Sequence, residues 1–183
     1  PPTPLFEEKG VDLGALDKVM EGLYRPGHFQ GVCVVVKKLF DIVKPDRAYF
    51  GEKDFQQLVI IKHMVKTLKM RVRIVSCPTV REFDGLAMSS RNVFLTTEER
   101  KNVLMIPRTL LRLKTNKQKT SVKELKKWVT DGMINYPFLD MEYFEIVNSE
   151  TLLPVQDWKE AKKLRACMAV KVGSVRLIDN VPI

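Results

Sequence analysis

The sequence predicts an α/β chain in two units: one with a parallel sheet, then a small α+β unit with an antiparallel sheet. Three observations predict it. A short apolar strand from Ala48 to Phe50, a helix from Asp54 to Lys69 and a second strand from Val72 to Ser76 give a β-α-β order. That order implies a right-handed crossover and parallel strands. Past Cys77-Pro78-Thr79 the pattern changes to capped helices and then strands, MEYFEIV at 141–147, ACMAVKV at 166–172 and SVRLID at 174–179. Gly173 is the only turn signal between the last two, which suggests a tight hairpin. The boundary is placed after Thr79, giving segments 1–79 and 80–183.

The composition fits an ordinary globular protein. Of 183 residues 45% are hydrophobic and 29% charged, enough for a sizeable core. No apolar run reaches the length of a membrane span. The opening PPTPLFEEKG has neither the basic lead nor the apolar block of a signal peptide. It reads instead as a loop cut mid-chain, so the chain is expected to be a fragment. Cys33, Cys77 and Cys167 are widely spaced and odd in number, which argues for reduced thiols in a cytoplasmic compartment. With two histidines there is no zinc-type spacing, and no metal site in the protein is expected. A net charge of +9 favours polyanionic partners: nucleotides, nucleic acid or a membrane surface. Scattered lysines that keep a protein soluble explain much of that excess.

Taken in order, Asp12 reads as an N-cap for a helix with Leu13, Leu16, Val19, Met20 and Leu23 at helical spacing. Gly22 and Arg25-Pro26-Gly27 end it. His28 to Gly31 reads as a loop, and Val32 to Val43 as a buried helix that Pro45 stops. Gly51 breaks the first strand and lets the chain turn tightly into the next helix. That helix has Leu58, Ile61, Val65 and Leu68 on its buried stripe. Val80 to Leu95 is a long polar loop around Gly85, and residues 80–92 are expected to be the most mobile internal segment. Thr96 with Glu99 makes a capping box for a helix that Pro107 kinks, and Ser121 with Glu124 makes a second. Thr115 to Thr120 is a basic connector.

Three stretches carry chemistry. In RAYFGEKDFQQ (47–57), a helix start with Lys53 beside it suits an anion such as a phosphate. An ordinary βα turn with Lys and Gln facing water is an equal reading by physics alone. In Met88-Ser89-Ser90-Arg91-Asn92, a guanidinium fork and two hydroxyls suit phosphate oxygens. Since Thr96 already caps the following helix, Ser89 and Ser90 are free for another task. His28 is a candidate for acid/base work or a neutral donor, although a lone histidine is more often structural. There is no Walker-type loop and no GxGxxG.

RPGHFQGV (25–32), KLFDIVKPDRAYFGEKDFQQL (38–58), VREFDGLAMSSRN (80–92) and RLIDN (176–180) resemble pantothenate synthetases, the pantoate–β-alanine ligase family. The resemblance covers nearly the whole chain in order and is weakest from Lys114 to Pro154. It implies a partial Rossmann-like, nucleotidyltransferase-type sheet in residues 1–79 and a C-terminal lid domain in residues 80–183. It further implies that ATP, with Mg2+ bound through its phosphates, activates pantoate as an adenylate, and that β-alanine displaces AMP. Carried over by motif, Gly51, Glu52, Lys53, Asp54, Val80, Met88, Ser89, Ser90 and Arg91 would bind ATP. Of these Lys53, Ser89, Ser90 and Arg91 would be catalytic, while Gln57 and His28 would meet pantoate. Small-molecule substrates, no nucleic acid, no membrane and a homodimeric full-length enzyme are the implied partners. The family's His-x-Gly-His motif is absent, since His28 and His63 are the only histidines. These residues alone are therefore expected to be inactive. Two other readings compete: a basic nucleic-acid-binding module using the lysines at 114–127, and a non-catalytic assembly fragment. The lysines lack the aromatic interleaving of a stacking surface.

Overall fold

In the first unit the β-α-β order is present. Strand β1 (Arg47–Gly51) and strand β2 (Arg73–Cys77) pair in parallel, Arg47 opposite Arg73 and Gly51 opposite Cys77. A short 3-10 turn (Glu52–Asp54) leads from β1 into helix α3 (Phe55–Thr67), which makes the crossover. The computed structural model describes residues 10–116 and 120–183. Its two compact units meet between Cys77 and Pro78. The PPTP opening and the middle of the basic connector lie outside the described residues.

Helix α3 buries Leu58, Ile60, Ile61 and Met64 almost completely. Each such side chain contributes roughly 1.5–3 kcal/mol relative to exposure. The expected stripe is correct at Leu58 and Ile61, but Val65 is half-buried and Leu68 exposed. For Leu68 the cause is the early end of the helix: it leaves helical geometry, and Lys69 takes a left-handed φ of 50°.

The N-terminal segment corrects the sequence reading. Only α1 (Glu21–Tyr24) is helical, and Leu13 to Met20 runs as successive turns. Gly14 (φ 55°) and Met20 (φ 44°) both sit left-handed, which no α-helix tolerates. The apolar spacing still buries Leu13, Leu16 and Met20, because a chain of turns also places every third or fourth residue inward. The side chain of Gln56, in the first turn of α3, holds this shape. Its amide nitrogen donates to the carbonyls of Leu16 (2.7 Å) and Val19 (2.9 Å), and its oxygen accepts from the Glu21 backbone N–H (2.9 Å).

Helix α2 spans His28–Val43 and stops before Pro45, with Lys44 left-handed at φ 50°. It begins four residues earlier than the sequence suggests, so His28 to Gly31 is helix and not loop. It is not the buried helix expected, since only Phe29, Cys33 and Phe40 are buried while Val35, Leu39, Ile42 and Val43 are exposed. Gly27 takes the preceding position at φ 77°, a conformation that favours glycine.

In the second unit, β3 (Leu139–Asn148), β4 (Leu164–Val172) and β5 (Val175–Pro182) form an antiparallel sheet in that order. Val172 faces Val175 across the hairpin, and Gly173 turns it at φ 56°. Helices α4 (Thr97–Asn102), α5 (Met105–Asn116) and α6 (Val122–Met133) complete the unit. The chain breaks between α4 and α5 ahead of Pro107, which then sits in the first turn of α5, where its missing N–H costs little. The core joins Leu110, Leu113, Leu125 and Val129 of the helices to Ile146, Met168 and Val170 of the sheet.

Both capping boxes are present. The Ser121 backbone N–H, then the Ser121 and Thr120 hydroxyls, hold the Glu124 carboxyl down at about 2. Its folded value lies below its ordinary 4.5, so this stabilisation is complete above that value and is lost as pH falls toward 2. Glu124→Gln keeps a capping-box residue but no carboxylate. Acid unfolding monitored by circular dichroism should therefore lose some of its pH dependence in that window in the variant.

Candidate functional site

At the end of β1 in the first unit, Gly51 has an extended backbone (φ −69°, ψ 135°), and a Cβ there would meet nothing within 4 Å. The turn therefore does not require glycine, as the sequence reading supposed. What the missing side chain leaves is open space over the strand end. Neither the 3-10 turn nor α3 has a side-chain cap, so its first amides are not engaged by a capping side chain. The half-buried Lys53 ammonium lies 3.8 Å from the Asp54 carboxylate. Glu52 and Asp54 oppose an anion here, and Lys53 offsets them. Gln57 is half-buried on the first turn of α3, and its amide is engaged by no described residue. Its neighbour Gln56 is wholly spent on structure.

His28 opens α2, tilted against Phe29 with ring centres 5.0 Å apart. Partial burial pushes its imidazole below the ordinary value, with Arg25 adding to the effect and Glu21 and Asp54 opposing it. The imidazole is therefore neutral near pH 7, a donor and an acceptor at once.

In the second unit, residues 80–95 are a tied structure rather than a free loop. Arg81 bridges to Ala87 in antiparallel fashion, the Met88 N–H donates to the Val80 carbonyl at 2.9 Å, and Leu86 and Ala87 are buried. Arg81 donates to both oxygens of Asp179, at 2.7 and 2.9 Å, and to the Gly85 carbonyl at 3.0 Å. Arg100 reaches Glu82 at 2.7 Å and also pairs with Asp84. Asn92 donates to Glu82 and to the Ala87 carbonyl. The expectation of loose polar side chains fails because these acids and arginines find one another.

Met88, Ser89 and Ser90 line an open cleft of about 520 Å³ together with Glu82, Asn92, Val93 and Arg100. Ser89 Oγ accepts from the Arg91 backbone N–H at 3.2 Å and starts the 3-10 helix Ser90–Phe94. Ser90 and Arg91 are exposed, and Arg91 Nη1 reaches the Arg176 carbonyl at 3.5 Å. Val80 is exposed at the base of the segment. Sequence reasoning missed Glu82 and Arg100 as lining residues, and it gave no role to Asn92 within the stretch it singled out. No local pattern marks Glu82 or Arg100, which are 18 residues apart and meet only in the fold.

The sequence matches the family described as pantoate-beta-alanine ligase over residues 3–182. The chain belongs to that family. Two relatives that carry the name pantothenate synthetase are those of Bacteroides fragilis, 53% identical over 97% of this chain, and Porphyromonas gingivalis, 49% identical over the same share. The chain spans 63% of each of those ligases. Among solved structures, pantothenate synthetase from Thermus thermophilus superposes with a TM-score of 0.90 at 44% identity, over 98% of this chain and 64% of that one. The ligase from Francisella tularensis, solved with β,γ-ATP and β-alanine, gives a TM-score of 0.71 at 31% identity, over 95% and 58%. The α/β architecture described above is the pantothenate synthetase fold. Among the described residues no helix is long and apolar enough to cross a membrane, and the three cysteines are free.

Proposed function

We propose that this chain is the ATP-handling and lid portion of a pantoate–β-alanine ligase, which condenses pantoate with β-alanine through a pantoyl adenylate, giving AMP and pyrophosphate. The family match over residues 3–182 carries this reading. The ATP and β-alanine bound by the Francisella tularensis relative support the substrate class. In this reading residues 1–79 are the second half of a Rossmann domain and residues 80–183 the lid. Gly51 leaves room for the nucleotide, and Lys53 with the uncapped amides of the turn meets the triphosphate. Magnesium arrives with the Mg–ATP substrate and offsets Glu52 and Asp54. Gln57, with an uncommitted amide, orients pantoate, and the neutral imidazole of His28 lies in the same unit. Ser89, Ser90 and Arg91 supply short and forked donors to phosphate oxygens, with Met88 and Val80 packing on the adenosine. Phosphate chemistry of this kind asks for placement and charge neutralisation more than for a nucleophile. The stripe Val35, Leu39 and Ile42, exposed along α2, suits packing against further polypeptide in a dimeric enzyme.

The test is pantoate-dependent ATP–pyrophosphate exchange. It is measured on the 183 residues alone and on a full-length chimera completed with the leading segment of the Bacteroides fragilis relative. The expected result is exchange and β-alanine-dependent AMP release by the chimera, and none by the chain alone, which has no His-x-Gly-His. Exchange at a normal rate by the chain alone, or a folded chimera that adenylates a different acid, would overturn the reading.

A further inference from the structure

We infer a second small-molecule site, for a flat organic carboxylate, in the cleft between α5 and α6 of the second unit. The cleft holds about 500 Å³, inside the roughly 300–1,000 Å³ range of ligand pockets. None of its lining residues belongs to the Ser89–Arg91 segment or to the cleft beside it.

Its chemistry has one charge. Arg112 lines the cleft with an exposed guanidinium that makes no hydrogen bond or ion pair with any described residue, and no acidic side chain lines the cleft. An unpaired fork of donors against an apolar wall matches a carboxylate, which accepts both N–H groups at once. A phosphate dianion would need a second cation to balance it, and the cleft offers none.

Two further features point the same way. Trp128 is 39% exposed and forms an aromatic wall, on which a flat ring can stack. Gly132 interrupts the last turns of α6, where glycine costs about 1 kcal/mol relative to alanine. A Cβ there would meet nothing within 4 Å, so its absence relieves no internal clash. What it does is deepen the cleft beside Tyr136.

Benzoate is the probe, with benzamide as its neutral isostere and inorganic phosphate as the anion without a ring. Each is titrated into the 15N-labelled 183-residue chain while the indole N–H signals of Trp128 and Trp158 are followed. Trp158 is an internal control, since its indole already donates to the Thr120 carbonyl at 2.8 Å. Benzoate should give saturable shifts at Trp128 and at the Gly132 amide, at least about tenfold tighter than benzamide or phosphate, as loss of a charge-assisted pair implies. Arg112→Ala should weaken benzoate by about the same factor. Gly132→Leu should abolish binding while raising helix propensity, so the fold is kept. Equal binding of benzoate and benzamide, full binding by either variant, or shifts that never saturate would overturn the site.

Discussion

Lys53→Ala in the full-length chimera lowers kcat by about 100-fold or more while the apparent KM for ATP moves only a few-fold. The ammonium is half-buried and held 3.8 Å from Asp54 at the start of a helical turn without side-chain caps, where fixed amides already favour negative charge. In the proposed adenylation, charge accumulates on the departing pyrophosphate as the reaction proceeds. A cation at that point is worth more in the transition state than in the ground state, and such differential binding appears in kcat. Removing Lys53 also takes the neighbouring cation from Glu52 and Asp54, which adds to the loss. Gln57→Ala provides the contrast, because a neutral amide meets no developing charge. It should raise the KM for pantoate and leave kcat largely intact. Steady-state kinetics with ATP and pantoate varied in turn decide both. Full turnover by Lys53→Ala, or an unchanged pantoate KM in Gln57→Ala, removes the assigned roles.

Local signals in this sequence were legible, and long-range ones were not. The two capping boxes, the parallel β-α-β order and the hairpin at Gly173 each depend on residues within a few positions of one another or on plain periodicity. The start of α2 escaped because Gly27 caps it through a left-handed backbone and not through a side chain that a sequence displays. The turns before Glu21 escaped for a different reason. Their apolar spacing imitates a helix, and what decides against one is Gln56, 35 to 40 residues away, bonding to Leu16, Val19 and Glu21. Lys53 and the Ser89–Arg91 stretch could be singled out because their residue types are unusual as a set. Their neighbours Glu82, Asn92 and Arg100 look like ordinary solvated polar residues until the fold brings them to one cleft. Arg81 and Asp179 are 98 residues apart, and no pattern in the chain links them.

That last pair carries the largest expected effect on stability. Asp179 is 3% exposed and accepts two bonds from Arg81 and one from its neighbour's backbone, the Asn180 N–H at 2.7 Å. Breaking a buried pair by removing one partner typically costs about 3–5 kcal/mol, because the other charge is left uncompensated. The Arg81 side chain is 25% exposed and can regain some water, so Asp179→Ala should cost about 2–4 kcal/mol. For a unit of this size each kcal/mol lowers the melting temperature by roughly 4–8 °C. Asp179→Ala should therefore melt the second unit about 10 °C or more earlier and leave the first unit unchanged. The damage should also reach the candidate site, since Arg81 closes the turn at Gly85 that precedes Ser89 and Ser90. Amide exchange read residue by residue separates the two effects. Residues 80–92 should open before the β4–β5 hairpin does in Asp179→Ala, whereas in the wild-type chain they should exchange with it. Arg81→Lys keeps the charge but loses the second donor, and should give a smaller shift of the same kind. If Asp179→Ala left both the second unit's melting temperature and the exchange of residues 80–92 unchanged, the pair would not hold this segment in place.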